Sequence, residues 1–429
     1  MQIAIEPFLF PENEIQVKDE TSSTFEDNMK MPVHRWYRYT AGFSASWVSK
    51  LINEEKRNGR CHIVDPFVGS GTVAVECQKN NVEGYGLESN PYVFRIASVK
   101  LKWNTLDPKE IVKVANDLLH TAKNVQTDIS SYPSLIRRCF PDSTLYKLDA
   151  LKRACLSMNK SDEQDLMWFV ITSILRTTSP VGTAQWQYIQ PKKSKSNVLD
   201  PFDAFEKKVV EVCTDILALN ASKSGHKVYI LQEDARENVD IPDNWCDLVI
   251  TSPPYANNYD YADAMRLEMS FWGDIDGYDG LRNVSSHLVR ACTQHVSKLR
   301  NQAQEIIQSP LLAPIRDELQ EKFDLLARER ENHGGKKNYH LMIVAYFYDL
   351  ARVFSMLNQK AKENCKMCFV IGDSAPYGIY IPVDEWLGRL AINAGFREYS
   401  FEKLRDRNTK WKNRKHRVPL KEGRLWINK

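Results

Sequence analysis

The residues Asp247-Leu248-Val249-Ile250-Thr251-Ser252-Pro253-Pro254-Tyr255 run from an apolar stretch directly into two prolines and an aromatic ring. The prolines carry no N–H and stiffen the turn, so the Ser252 hydroxyl and the Pro253 carbonyl become fixed hydrogen-bond acceptors. Two acceptors facing an amino group draw its lone pair out of conjugation and make the nitrogen a nucleophile. Tyr255 offers a flat face on which a base swung out of its stack could rest. Alone, the segment reads equally as a proline turn capped by a packed tyrosine.

Three upstream features change that balance. Asp65-Pro66-Phe67-Val68-Gly69-Ser70-Gly71-Thr72 sits where a strand turns into a helix. Glycines there let the backbone approach a ligand, and the helix N-terminus favours a carboxylate or phosphate. No Lys follows the second glycine, so it is not a Walker loop. Glu88, about twenty residues on, stands at the tip of the next strand, where an acid can accept from both hydroxyls of a ribose. Together they imply a nucleoside-containing cofactor, with NAD still open. Asp234, in Glu233-Asp234-Ala235-Arg236, ends a third strand and could accept from an adenine amino group.

Other chemistries lack their residues. None of the nine cysteines follows a proline, so no Pro-Cys nucleophile for cytosine C5 is present. No Ser-His-acid pattern or metal-ligand cluster is visible, and no metal is expected. Cys365 and Cys368 form a lone C-x-x-C that leads into an apolar run, and they read as ordinary thiols at the start of a strand.

The elements that must hold these residues alternate strand and helix. Strands are expected at Cys61 to Phe67, Val82 to Leu87, Lys227 to Leu231, Asp247 to Thr251 and Met367 to Gly372, with Arg397 to Lys403 and Arg424 to Asn428 completing a sheet. Helical spacing marks Phe43 to Ile52, capped by Ser44, and Leu341 to Leu357. This is the pattern of an α/β, Rossmann-like, doubly wound sheet, here with a large, mainly helical insertion. The organisation reads as a loose arm over 1–30, a first part of the core over 31–103, a helical insertion over 104–225, and core with the proline loop over 226–255. A second insertion follows over 256–338, and the end of the core with a basic C-terminal segment over 339–429.

In this order the motifs resemble those of the S-adenosylmethionine-dependent DNA amino-methyltransferases, which make N4-methylcytosine or N6-methyladenine. The resemblance implies S-adenosylmethionine across the carboxyl edge of the sheet and direct methyl transfer to a flipped base. It carries over a cofactor role for Asp65, Phe67, Gly69, Gly71, Thr72, Glu88, Asp234 and Thr251, and a catalytic role for Ser252, Pro253, Pro254 and Tyr255. Ala41-Gly42-Phe43-Ser44 resembles the family's N-terminal cofactor motif, so Phe43 and Ser44 join the cofactor set, and Gly372-Asp373-Ser374 resembles the end of its fifth strand. The cofactor loop precedes the catalytic loop with an insertion between them, similar to the family's α-type order. Here that insertion falls before Asp234, so 104–225 and 256–338 are rival target-recognition regions. Ser252 resembles the N4-cytosine subgroup, with N6-adenine as the alternative; an RNA base methyltransferase and a non-catalytic, cofactor-holding DNA-binding subunit are the others.

The chain has 429 residues, a net charge of +3 and 26% charged residues, so a nucleic-acid partner must show as local clustering. Arg405, Arg407, Lys410, Lys412, Arg414, Lys415 and Arg417 stand against the single acid Asp406, and could follow a phosphate backbone. Lys192 and Lys193 are weaker candidates. The expected partners are double-stranded DNA and a cognate restriction endonuclease, with no membrane. No secretory signal or run of roughly 20 apolar residues is seen, and a cytoplasmic, nucleoid-associated setting is expected.

Overall fold

The computed structural model describes residue 3 and residues 25–39, 42–181, 195, 197–219, 227–335, 337–407 and 418–429. Seven strands form one sheet: β1 (His62–Asp65), β2 (Glu83–Leu87), β3 (Val228–Leu231), β4 (Cys246–Thr251), β5 (Ala361–Gly372), β6 (Glu398–Arg407) and β7 (Leu420–Asn428). Their order is β3-β2-β1-β4-β5-β7-β6. The first five run parallel, while β7 is antiparallel to both β5 and β6. All seven expected strands are present. β5 starts earlier than Met367 because a register shift opposite Cys246 and Leu248 extends its pairing back to Ala361.

Fourteen α-helices surround the sheet among the described residues: α1 (Ala45–Arg57), α2 (Thr72–Lys79), α3 (Pro91–Leu101), α4 (Pro108–Asn124), α5 (Ser134–Cys139), α6 (Asp142–Leu156), α7 (Asp162–Thr178), α8 (Pro201–Ala218), α9 (Arg266–Trp272), α10 (Gly277–Ser286), α11 (Ala303–Ile307), α12 (Arg316–Asn332), α13 (Tyr339–Lys360) and α14 (Val383–Asn393). Alternation along the strands assigns the layers. Ile63, Leu248, Ile250, Cys368 and Val370 pack with Val48 and Ile52 of α1 and Val73 and Cys77 of α2. Val64, Val249, Met367, Phe369 and Ile371 face the other way, onto α13 and α14. Both faces are covered, so every residue of β4 is buried, and its middle, Leu248 to Ile250, is apolar on both faces rather than alternating.

The helical insertion α4 to α8 shares a single core with α3, α9 and the aromatic residues Trp36 and Tyr37. Residues 256–338 pack through Val296, Ile307, Leu312 and Leu326 onto α13. The arm differs from its expected looseness in two places. Ile3 is buried and donates its amide to Asn116 of α4 at 3.0 Å, and Phe25–Lys30 forms a 3-10 helix. The Asn28 side chain bridges the Phe43 carbonyl at 2.9 Å and the Ala45 amide at 2.9 Å. α13 is long and apolar enough to cross a bilayer, contrary to the expectation that no stretch would be, but most of its apolar length is buried in this core. Cys365 and Cys368 are buried free thiols within β5.

Candidate active site

The sheet order reverses between β1 and β4, and a doubly wound sheet binds ligands at the carboxyl ends of its strands beside such a point. The loop leaving β1 is folded by two bonds: Phe67 N donates to Asp65 Oδ1 at 3.0 Å, and Val68 N to the Leu87 carbonyl at 3.0 Å. Gly69 and Gly71 have φ of 51° and 88°, the left-handed region that glycine enters without strain. Gly69 also lies under the Tyr39 ring, which a Cβ there would meet at 3.0 Å. α2 begins directly after Gly71 with no side chain capping its first amides, leaving them for a ligand.

A cavity opens over this loop, and its walls include Phe43, Phe67, Gly69, Thr72, Glu88, Asp234, Ser252 and Pro254. These eight of the expected site residues are brought together. Ser44, Asp65, Gly71, Thr251, Pro253 and Tyr255 are not in its walls. Ser44 caps α1, accepting from Trp47 N at 3.4 Å. Asp65 is 2% exposed and accepts from Thr251 Oγ1 at 2.6 Å, which ties the tip of β1 to the tip of β4. Burial pushes its carboxyl up to about 7, against the opposing hydrogen bonds.

Glu88 receives the Asn90 amide at 2.8 Å. Burial, helped by the nearby Asp65, raises its carboxyl to about 7. Asp234 is clamped by the Arg236 guanidinium, with Nε 2.9 Å from Oδ1. Burial works against ionisation there, but Arg236 outweighs it and holds the carboxyl below its usual range. Arg236 is braced in turn by the buried Asp349, 3.1 Å away, which also binds Arg290. The two acids are thus prepared differently, Glu88 sharing its population between protonated and ionised forms near neutrality and Asp234 held ionised.

In the proline loop, Ser252 Oγ donates to the Val370 carbonyl of β5 at 3.2 Å. That bond spends its single proton and leaves its lone pairs to accept. The Tyr255 amide donates to Tyr261 Oη at 3.2 Å, and Ser374 Oγ donates to the Ala256 carbonyl, so the loop is pinned on both sides. The Arg407 guanidinium lies 5.3 Å from the Tyr255 ring centroid and donates to the Asp373 carbonyl at 3.1 Å. Gly372 makes room for this, since a Cβ there would lie 2.5 Å from Arg407 Nη1 and 3.2 Å from the Tyr255 ring.

Two of the expected nucleic-acid residues fall among the described residues. Arg405 and Arg407 belong to β6; Arg405 pairs with the buried Glu422 at 2.7 Å, and Arg407 lies beside the Tyr255 ring and 3.7 Å from Glu422. Lys410, Lys412, Arg414, Lys415, Arg417, Lys192 and Lys193 lie outside the described residues, as does Ala41.

Sequence reasoning missed several wall residues. Tyr39 and Tyr261 carried no motif, and Asn90, which caps α3, follows Glu88 too closely to stand out. His287, Leu288 and Val289 come from the expected second insertion, which therefore helps build the cavity. A second cavity of about 530 Å³ shares Tyr39 and Tyr261 with the first and adds Arg38, Arg176, Met265 and Glu268. Asp260, Cys292 and His295 bring donor atoms within 4.8 Å of one another. The Asp260 carboxylate is taken up there by His295 Nε2 at 3.0 Å and by the amides of Ala262 and Asp263, an anchoring of the loop after Tyr255.

This sheet, with a cavity over its reversal point, is an α/β fold of the methyltransferase kind. No family model matches the chain. It is 24% identical to the type II methyltransferase M.BsoBI of Geobacillus stearothermophilus, over 92% of this chain and 85% of that protein. It is also 24% identical to M.AvaI of a Nostoc species, over 87% and 81%, and 22% identical to M.MvaI of Kocuria varians, over 88% and 84%. Similarity over most of the chain supports the DNA methyltransferase family to which the motifs pointed, in the restriction-modification setting that the type II names carry.

Proposed function

We propose that the chain transfers a methyl group from S-adenosylmethionine to the exocyclic amino group of a base flipped out of double-stranded DNA, with cytosine N4 as the target. Bound cofactor would supply an electrophilic methyl on a sulfonium, and the chain's residues would bind, orient and activate around it. Phe43, Phe67 and Gly69 fit its body, Glu88 its ribose hydroxyls and Asp234 its adenine amino group. A Cβ at Gly69 would close on Tyr39, which is how a cradle for a close-lying ligand is built.

The observation that carries the proposal is the Ser252 hydrogen bond to Val370. A serine that has given away its proton can only accept, and with the Pro253 carbonyl it would take both protons of an amino group. The nitrogen lone pair then turns towards the methyl, and positive charge developing on nitrogen meets two fixed dipoles. Tyr255, with the Arg407 guanidinium 5.3 Å from its ring centroid, supplies the surface for the ring. The neutral hydroxyl of Ser252, rather than a carboxylate, favours cytosine by resemblance to the N4 subgroup, and a cognate endonuclease would cut the unmethylated site. Incubation with labelled S-adenosylmethionine and duplex DNA, followed by nucleoside analysis, tests this; label in N6-methyladenine would overturn the cytosine assignment, and label only with RNA the DNA assignment.

A further inference from the structure

The loop that follows Tyr255 is seamed to the second insertion. Asn258 N donates to the Ala291 carbonyl at 3.1 Å, and Asn258 Oδ1 accepts from Thr293 N at 2.9 Å. Beside this seam the Asp260 carboxylate, the Cys292 sulfur and a His295 ring nitrogen lie within 4.8 Å of one another. Asp260 and Cys292 are buried, and the His295 side chain is 15% exposed. The backbone sets their directions. Asp260 Oδ1 receives the amides of Ala262 and Asp263 at 3.1 Å each, which turns Oδ2 towards His295 Nε2, 3.0 Å away. Cys292 Sγ lies 3.7 Å from Asn258 Oδ1, a weak bond for a buried thiol, and the Gln294 backbone N–H is directed at the sulfur. Asp263 adds its negative charge to the group, although Arg266 pairs with it at 3.2 Å, and the opposing charge of Lys337 acts more weakly. An Asp–His hydrogen bond is complete with two side chains. A thiol brought to the same point is explained by a cation.

We infer that Asp260, Cys292 and His295 bind one zinc ion, with water as the fourth ligand, and that the ion clamps the loop after Tyr255 to the second insertion. Thiolate, imidazole and carboxylate are the donors that zinc takes, and atoms roughly 2.0–2.3 Å from the ion stand about 3.3–3.8 Å apart in a tetrahedron. Small side-chain shifts close the present spread to that size. On binding, the Cys292 thiol proton leaves to solvent, and the His295 proton moves to Nδ1 so that the Nε2 lone pair faces the ion. Asp260 Oδ2 exchanges the imidazole for the metal, and no electron is transferred. The sequence leads to no expectation of a metal because 35 positions separate Asp260 from His295, and only the fold joins them. The clamp holds two segments that line the active-site cavity. Tyr261, next to Asp260, receives the Tyr255 amide, and His287, Leu288 and Val289 lead into Cys292. The inference does not depend on the cofactor or the target base assigned above.

Cobalt(II), a coloured ion that accepts the same tetrahedral donors, tests this on the full chain without cofactor or DNA. One equivalent should bring up a thiolate-to-cobalt charge-transfer band together with the visible bands of a tetrahedral ion, and one equivalent of zinc should bleach both. Cys292→Ser should abolish the charge-transfer band. Competition with a chromophoric chelator should show Cys292→Ser and His295→Gln weakening zinc by at least about tenfold to a hundredfold, the cost of losing even an outer-shell partner. Zinc should raise the thermal unfolding temperature of wild type and leave both variants unmoved, and their cooperative unfolding without metal shows that they are folded. X-ray absorption at the zinc edge of the loaded wild-type chain needs no variant, and should find one sulfur and three lighter ligands. A wild-type chain that binds neither ion, or zinc with no sulfur or with two, overturns the site. So does a charge-transfer band undiminished in Cys292→Ser, which would place the ion on another of the nine cysteines.

Discussion

Ser252 has one proton and gives it to Val370, so its Oγ enters any reaction as an acceptor. Ser252→Ala should therefore lower kcat by about 10²- to 10³-fold, the usual cost of one preorganised transition-state dipole, while cofactor affinity stays nearly unchanged. Glu88 gives a pH prediction. Its carboxyl sits at about 7 when the site is empty, and only the ionised form accepts from two hydroxyls. Cofactor affinity should fall about tenfold per pH unit below that value, and Glu88→Gln should flatten the profile. Folding runs the opposite way. A carboxyl held above its unfolded value favours the folded state while protonated, so this contribution fades as pH rises from the unfolded value through about 7. Glu88→Gln should then unfold at a higher temperature than wild type at pH 8 without cofactor. The place of Ser252, Pro254 and Glu88 at the cavity was legible because their signals are local: prolines without donors, an acid at a strand tip. The surroundings of Arg407 were not legible. Its run of cations suggests phosphate, and only the pairing of β6 with β7 brings it beside Tyr255. Arg407→Met should reduce kcat while leaving the salt dependence of DNA binding as in wild type, since a residue that positions Tyr255 neutralises no phosphate.

Among the elements, the seven strands could be read because each carries an apolar run between turn residues. Their ends could not, because register shifts, as between β4 and β5, arise from pairing and not from propensity. Helix α1 shows the same division. Ser44 and the spacing of Val48, Leu51 and Ile52 announce it, yet its approach to the cofactor loop depends on Asn28, from the segment expected to be loose. Asn28→Ala leaves the Ala45 amide without its acceptor and frees the Phe43 carbonyl. A loss of about 1–3 kcal/mol follows from such orphaned groups, and denaturant unfolding should record it together with weaker cofactor binding. Gly86 is a stricter constraint. A Cβ there would come within 2.6 Å of Val68 Cγ2, so Gly86→Ala must push the cofactor loop outward and weaken the cofactor more than it slows the bound enzyme.

At the scale of the molecule, the two insertions do not stand apart from the sheet. The first shares its core with α3, and the second lends His287, Leu288 and Val289 to the cavity. Nothing in composition distinguishes such a region from an appended domain, because burial against the sheet is a tertiary property. A ligand that joins these pieces should stabilise them together, by RT ln(1 + [L]/Kd), or about 2.7 kcal/mol at a hundredfold excess over Kd. Thermal unfolding with S-adenosylhomocysteine should accordingly shift as one transition. The assignment as a whole turns on the product. When the chain is incubated with methyl-labelled S-adenosylmethionine and duplex DNA, and the DNA is digested to nucleosides for mass spectrometry, the label should appear in N4-methylcytosine and vanish with Ser252→Ala. Label in no amino-methylated base of DNA, or undiminished label in the Ser252→Ala protein, would contradict the active site described above.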